Sequence, residues 1–405
     1  MSTAAPASTP AAPESKPRTL WDRAFAITPV VLTLLGTSLA GLSSSEMTRA
    51  QYHRALAAQH QGKVSDQWNL FQFKRTRRAL GEQTVELAGG GATPVDPVYL
   101  QTTASRIALL LRRGAKQTQT LTQHPSGRRS DDRTASEGGD PAYTHFHVVA
   151  ERQAERAEKT AQAFRKELSR PELRDDLGYL GMNKLPPFQE QPITHPDVLH
   201  ALELVQTGQR DAQAAAELAH LSDEHLRDAI ATAEANVRAV EESGKQTDRR
   251  LRALDKLVER HRQAVQAFHR AAQTLDQAAL DTPGQNKGDT AAVRRLDHAL
   301  AGASDELRAY RVAREDFNAR RNAREADQHQ KASLLYEVQV AKSGVTADRY
   351  RQRSALFFYG MLLAQAGAAI ASLAMAARQQ SLLWALAGVA GVAAVAFSGY
   401  IYLFI

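Results

Sequence analysis

The chain has 405 residues, a formal net charge of +7 and no cysteine. Without cysteine there are no disulfides, no thiolate metal sites, no cysteine nucleophile and no lipidated N-terminal cysteine. Apolar residues make up 43% of the chain and aromatic residues only 6%, an alanine-rich, aromatic-poor balance that points to long helices rather than sheets.

Residues 1–23 open with an Ala/Ser/Thr/Pro-rich run, Ser2 to Pro13, which reads as a disordered tail. Residues 24–43 form the first apolar segment. Phe25 to Leu42 carries no charge and approaches the roughly 20 residues a helix needs to cross a bilayer. Its basic lead and Ser38-Leu39-Ala40 also suit a cleaved signal peptide, but the lead is long for one. An uncleaved membrane helix is therefore expected.

Residues 44–87 continue as a stalk helix, with Tyr52, Leu56, Val64, Trp68 and Phe71 at mostly helical spacing. Gly89-Gly90-Gly91 ends it. That run lacks the following Lys-Ser/Thr of a phosphate loop, so it is a terminator. Residues 88–145 are a low-complexity insertion. It contains a short amphipathic helix, Val98 to Arg113, and a mobile polar stretch from Lys116 to Pro141. Residues 146–197 hold a helix with Ala154, Ala157, Ala161, Phe164 and Leu168 on one face. A linker bearing Pro171, Pro186, Pro187, Pro192 and Pro196 follows.

Residues 198–354 carry the strongest periodicity. From Leu226 through Ile230, Ala233, Val237, Val240, Gly244, Thr247, Leu251, Leu254, Val258, His261, Val265, Phe268, Ala272, Leu275 and Ala279, apolar positions alternate steps of four and three. That is a coiled-coil seam about 80 Å long at ~1.5 Å per residue. Asp281 to Asp289 is a turn signal, and Val293, Leu296, Leu300, Ala303, Leu307 and Tyr310 repeat the pattern on a return helix. An antiparallel hairpin turning there sets Gly244 and Thr247 against Arg324 to Ala326. The stalk helix, held beside the return helix by its membrane ends, sets Trp68 opposite His329 and Phe71 opposite Ala326. Trp68 and Phe71 are then expected to fill the space at Gly244, with Asp66, Gln67 and Gln72 pairing to Arg320, Arg321 or Arg324.

Residues 355–377 and 381–405 are the second and third membrane helices, uncharged throughout and joined by a tight turn at Arg378. Small residues recur every fourth position at Gly360, Ala364, Ala368, Ser372 and Ala376, a pattern that lets helices approach closely in lipid. The fold class expected is all-α and integral to the membrane: three transmembrane helices with a long antiparallel coiled-coil hairpin or stalk domain.

The segment Val64-Ser-Asp-Gln-Trp-Asn-Leu-Phe-Gln-Phe-Lys74 resembles the signature of a family of uncharacterised bacterial integral membrane proteins, known only as a domain of unknown function. Asp66, Gln67, Trp68, Gln72 and Lys74 match its Asp-Gln-Trp-x-x-x-Gln-x-Lys motif. The resemblance covers about residues 20–80 and 325–405 and implies a topology and a bacterial membrane, with no chemistry. The insertion after Leu87 and the long hairpin depart from it.

No motif implies a catalytic group, a metal or a cofactor. There is no Gly-x-Ser-x-Gly elbow and no His-Glu-x-x-His helix. His145-x-His147 lacks a nearby carboxylate, and His220, Glu224 and His225 diverge around a helix. The basic cluster Lys74, Arg75, Arg77 and Arg78 reads as a solvated face, and no nucleic-acid partner is expected. His261, on the seam, is expected to be a core histidine bonded to Tyr310. With three apolar segments present, anionic headgroups are the partner that suits the positive charge, through Arg349, Arg351 and Arg353. Basic residues on the domain side (Arg49, Arg54, Lys342 and these three) outnumber Lys16, Arg18, Arg23 and Arg378, which favours a cytoplasmic domain at a bacterial inner membrane. The function expected is a non-enzymatic, membrane-anchored coiled-coil scaffold or spacer. It would self-associate or bind protein partners through the coiled coil and the small-residue faces. The alternative is a membrane subunit of a transport or channel assembly.

Overall fold

A computed structural model describes residues 20–88, 96–123, 141–182, 184–209, 211–281, 287–377 and 380–404. The N-terminal tail up to residue 19, Gly89-Gly90-Gly91, residues 124–140 of the polar insertion, the tip of the hairpin turn and Arg378 lie outside them. Helix accounts for 93% of the described residues, with no strand among them. In chain order the helices are α1 (Leu20–Leu87), α2 (Pro97–Gln123), α3 (Pro141–Leu168), α4 (Pro171–Gly181), α5 (Pro196–Thr207), α6 (Ala212–His220), α7 (Asp223–Asp281), α8 (Lys287–Ala376) and α9 (Gln380–Phe404). Among these, α1, α8 and α9 each contain a stretch long and apolar enough to cross a membrane.

The chain divides into two compact units, through both of which α1, α7 and α8 run. One comprises residues up to Val64, His195–Arg227 and Leu334–Ile405. The other comprises Ser65–Thr194 and Asp228–Ser333.

In the second unit, α2 and α3 are longer than composition suggested. The helix begun at Pro97 continues to Gln123, and α3 starts at Pro141. Prolines at their first positions suit helix starts, where an N–H has no intrahelical partner anyway. Leu100, Ala104, Ile107 and Leu111 form the buried stripe of α2. They share one core with Phe146, Ala150, Ala157 and Phe164 of α3 and with Leu173, Leu177 and Leu180 of α4. The α7 seam from Leu251 to Leu275 and the α8 positions Val293 to Phe317 complete it. Expected seam positions of α7 from Ala233 to Leu275 are buried, apart from half-buried Val237. Gly114 marks the tightest approach: a Cβ there would lie 2.6 Å from Leu296 Cδ2 and 2.9 Å from Phe268 Cε2. Cross-pairs Asp276–Arg294, His269–Asp297, Glu259–Arg311 and Asp248–Arg321 descend α7 as they ascend α8, so these segments run antiparallel.

The proline-rich linker is partly helical (α4, α5) and partly an extended strap. Asn236 clamps the strap with a two-way bond: its Oδ1 accepts from Gln191 N (3.0 Å) and its Nδ2 donates to Gln191 O (2.9 Å). Arg324 donates to the Pro186 carbonyl at 2.7 Å.

In the first unit, the apolar parts of α1, α8 and α9 pack through small residues. Leu32 lies against Gly367 and Gly391, where an added Cβ would come within 3.3 and 2.7 Å of its methyl groups. Leu39, Phe357, Ala364, Ala394 and Ile401 form the next cluster along. The buried stripe on α8 is Phe357, Gly360, Ala364, Gly367, Ala371 and Ala374, alternating three and four. This corrects the every-fourth-residue stripe. At 3.6 residues per turn a strict step of four drifts ~40° each time, so Ala368 is half-buried while Ser372 and Ala376 are exposed. Ser43 and Ser354 exchange hydrogen bonds, each hydroxyl donating to the other's carbonyl at 2.9 and 2.8 Å. Helix α5 ends on left-handed Gly208 (φ 68°), and Asp211 caps α6 by accepting from Ala214 N at 2.7 Å. Lys342 of α8 donates to the Leu221 carbonyl at 2.6 Å and pairs with Asp223.

Candidate functional site

Gln67 and Lys74 of α1 lead into a partly buried polar layer. Gln67 and Lys74 lie seven apart on α1, two turns along one face. Arg314, Arg321, Glu325 and His329 recur at steps of four or seven along α8. Glu241, Gly244, Asp248 and Asp255 follow steps of three, four and seven along α7. Each helix thus carries one polar stripe, and the three stripes meet.

The contacts form a chain. The Gln67 side-chain amide lies 2.7 Å from His329 Nδ1, and His329 Nε2 lies 3.3 Å from Glu241 Oε1, so this one imidazole touches both α1 and α7. Lys74 pairs with Glu325, whose other oxygen is 3.3 Å from Arg321 Nε. Asp248 receives Arg314 and Arg321, both at 2.5 Å. The Tyr310 hydroxyl donates to Asp255 at 2.8 Å, and Arg314 lies 3.6 Å from that carboxylate. From α4, Asp176 meets Arg250 of α7 through two bonds of 2.5 and 3.1 Å.

His329 is 1% exposed and Glu325 is 4% exposed. Burial lowers the His329 pKa below the usual imidazole value, against the opposing pull of Glu241, while Lys74 adds to the lowering. For Asp248, burial acts to raise the pKa, but the hydrogen bonds from Arg314 and Arg321 outweigh it and hold the group low. At Asp176 burial prevails over Arg250, and the carboxyl is raised. A polar cleft of about 380 Å³ borders the layer, lined by Arg77, Gly81, Asp248, Arg252, Arg314 and Asn322 among others. Its Asp248 and Arg314 are bound to each other, which fastens α7 to α8.

Several expected residues stand elsewhere. Asp66 and Gln72 are exposed. Trp68 is half-buried, its ring edge-on to Phe71 at 5.0 Å. The hollow at Gly244 is lined by Leu185, Pro186, Phe188, Thr247, Phe317, Arg321 and Arg324, with Trp68 not among them. A Cβ on Gly244 would meet Arg321 Cδ and Glu325 Oε1, each at 2.9 Å. The aromatic rings that line the hollow at Gly244 are Phe188 of the proline-rich strap and Phe317 of α8. Arg349 and Arg351 are exposed and Arg353 is half-buried. His261 is fully buried, stacked on Phe164 at 5.4 Å, with neither ring nitrogen hydrogen-bonded. Tyr310 bonds Asp255 and not His261. Sequence reasoning missed Glu241, Asp248, Glu325 and His329 as a unit. The signal was there in the α8 spacing, where Arg321, Glu325 and His329 share a face within a segment that otherwise reads as polar surface.

No family model matches this chain, and no curated protein or solved structure matches it.

Proposed function

We propose that this protein is a non-enzymatic scaffold or spacer anchored in a membrane by α1, α8 and α9, with α7 and α8 forming a coiled-coil hairpin. The observation that carries this reading is the pairing inside the polar layer. Gln67, Lys74, Glu241, Asp248, Arg314, Arg321, Glu325 and His329 bind one another across three helices. Buried charges engaged in this way set helix register and add little net stability, as a rigid spacer requires. Arg349, Arg351 and Arg353 sit just before the apolar part of α8, in place to meet anionic headgroups. By the excess of Lys and Arg on that side the helical domain is cytoplasmic, at a bacterial inner membrane. Small-residue faces of the apolar helices and the coiled coil offer the surfaces for self-association or protein partners.

Measuring the mass of the full-length protein in mild detergent tests this. A monomer or dimer is expected. A closed ring of copies around a water-accessible path would replace the scaffold with a transport or channel subunit.

A further inference from the structure

Histidines far apart in sequence meet where α5 and α7 begin. We propose that His195, Asp197 and His225 form a binding site for a divalent transition-metal ion of the zinc class, a site independent of the scaffold reading. Pro196 starts α5, leaving His195 at the extended cap position (φ −82°, ψ 112°), where its side chain makes no capping bond. Asp197 lies in the first turn of α5 and His225 in the first turn of α7. The two imidazole rings are stacked, centroids 4.3 Å apart and 12° from parallel. Asp197 Oδ2 is 2.8 Å from His225 Nδ1. Its other oxygen, Oδ1, is buried and bonded to no other side chain, and the Val198 and Asp197 backbone N–H groups lie beside the carboxylate. One potential ligand atom from each residue lies within 4.8 Å of the other two.

Zinc bonds of ~2.0–2.2 Å to nitrogen and oxygen put tetrahedral ligand atoms roughly 3.3–3.5 Å apart. Closing the cluster on an ion thus shortens the widest spacing, up to 4.8 Å, by about 1.4 Å, which side-chain rotation of half-exposed groups supplies. Two imidazoles and one carboxylate suit Zn²⁺ and its neighbours Co²⁺, Ni²⁺ and Cu²⁺. Mg²⁺ and Ca²⁺ demand more oxygen ligands. The ion would take the place of the proton between His225 Nδ1 and Asp197, while the adjoining backbone N–H groups hold the carboxylate in place. Three protein ligands leave a position for water. All three residues belong to one unit, so the ion would pin the short α5 to the first turn of α7.

The test uses full-length protein in detergent, stripped with chelator and titrated with ZnCl₂ by calorimetry. One ion per chain is expected. His195→Ala and His225→Ala should each weaken binding at least tenfold, with the metal-free variants melting as the metal-free parent does. A His145→Ala/His147→Ala double variant should bind as the parent does. In the unsubstituted chain, zinc should also protect His195 and His225 from carbethoxylation, a readout that needs no variant. The proposal is overturned by the absence of saturable binding, by unchanged affinity in both single variants, by loss of binding in the His145/His147 variant, or by equal modification of His195 and His225 with and without zinc.

Discussion

Helices α1 and α8 lie side by side in both units, yet different forces join them. In the first unit the apolar contacts are Leu32 and Leu39 seated over Gly360, Gly367 and Ala364, closed by the serine pair Ser43–Ser354. In the second the contacts are mostly polar, Gln67 on His329 and Lys74 on Glu325, with Gly81 beside Ala319. Where both helices are apolar, lipid would solvate them as well as each other, so close backbone approach must supply the attraction. In the second unit a polar stripe drawn in among three helices costs desolvation, which the pairing of its charges offsets. Small residues therefore govern one half of the helix pair and charge pairing governs the other.

The largest expected effect comes from breaking the second kind of contact. Glu325→Ala would leave Lys74 and Arg321 without their shared carboxylate, and removing one partner of a buried pair costs ~3–5 kcal/mol. Chemical denaturation of the detergent-solubilised protein should show it. A loss under about 1 kcal/mol would mean that water already reaches the layer, and the contrast between the two halves would weaken.

His261 sharpens the comparison from within the second unit, since it is a buried polar group without partners. Burial lowers its pKa from 6.5 to about 4. The folded state resists protonation while the unfolded state takes up a proton near 6.5. This contribution is therefore whole above pH 6.5 and falls away as pH drops toward 4, by about 3 kcal/mol. His261→Leu should remove that acid sensitivity and be neutral or stabilising at pH 7, because it deletes an orphaned polar ring. Thermal melts of both chains from pH 7 to pH 4.5 measure it. A His261→Leu variant as acid-sensitive as the parent would place the titrating group elsewhere.

A smaller effect is expected from crowding the small-residue contacts. Gly391→Val in the apolar bundle would collide with Leu32, and Gly114→Val in the core of the second unit would collide with Leu296 and Phe268. Overpacking typically costs ~1–3 kcal/mol. Gly388→Val, with nothing within 4 Å, is the control and should change nothing measurable in the same detergent melts. If Gly391→Val matched that control, close approach would not hold the bundle together.

Much of the architecture was legible in the chain itself. Uncharged stretches such as Ala355 to Ala377 make long helices because nothing in them breaks a helix. The alternation from Leu226 to Leu275 marks a buried face because 3.6 residues per turn leaves little choice of which side chains align. The antiparallel run of α7 and α8 followed from chain direction and rise per residue. The same reasoning set Trp68 opposite His329, one residue from Gln67, which makes the contact.

Three dimensions were needed for the rest. Composition took Lys116 to Pro141 for a mobile polar stretch and Pro186–Phe188 for a bare linker. Residues 116–123 of the first continue α2, just beyond the point where Gly114 lets it close against Leu296 and Phe268. The second lines the hollow at Gly244 because Asn236 and Arg324 hold its backbone. Which polar side chains pair was likewise undecided by sequence, since Asp66 and Gln72 are as capable as Gln67 and Lys74. Only the rotation of α1 against α7 and α8 turned one pair inward. His195 and His225, on separate helices, meet for the same reason: period and propensity act over a few residues, whereas the packing of whole helices chooses distant neighbours.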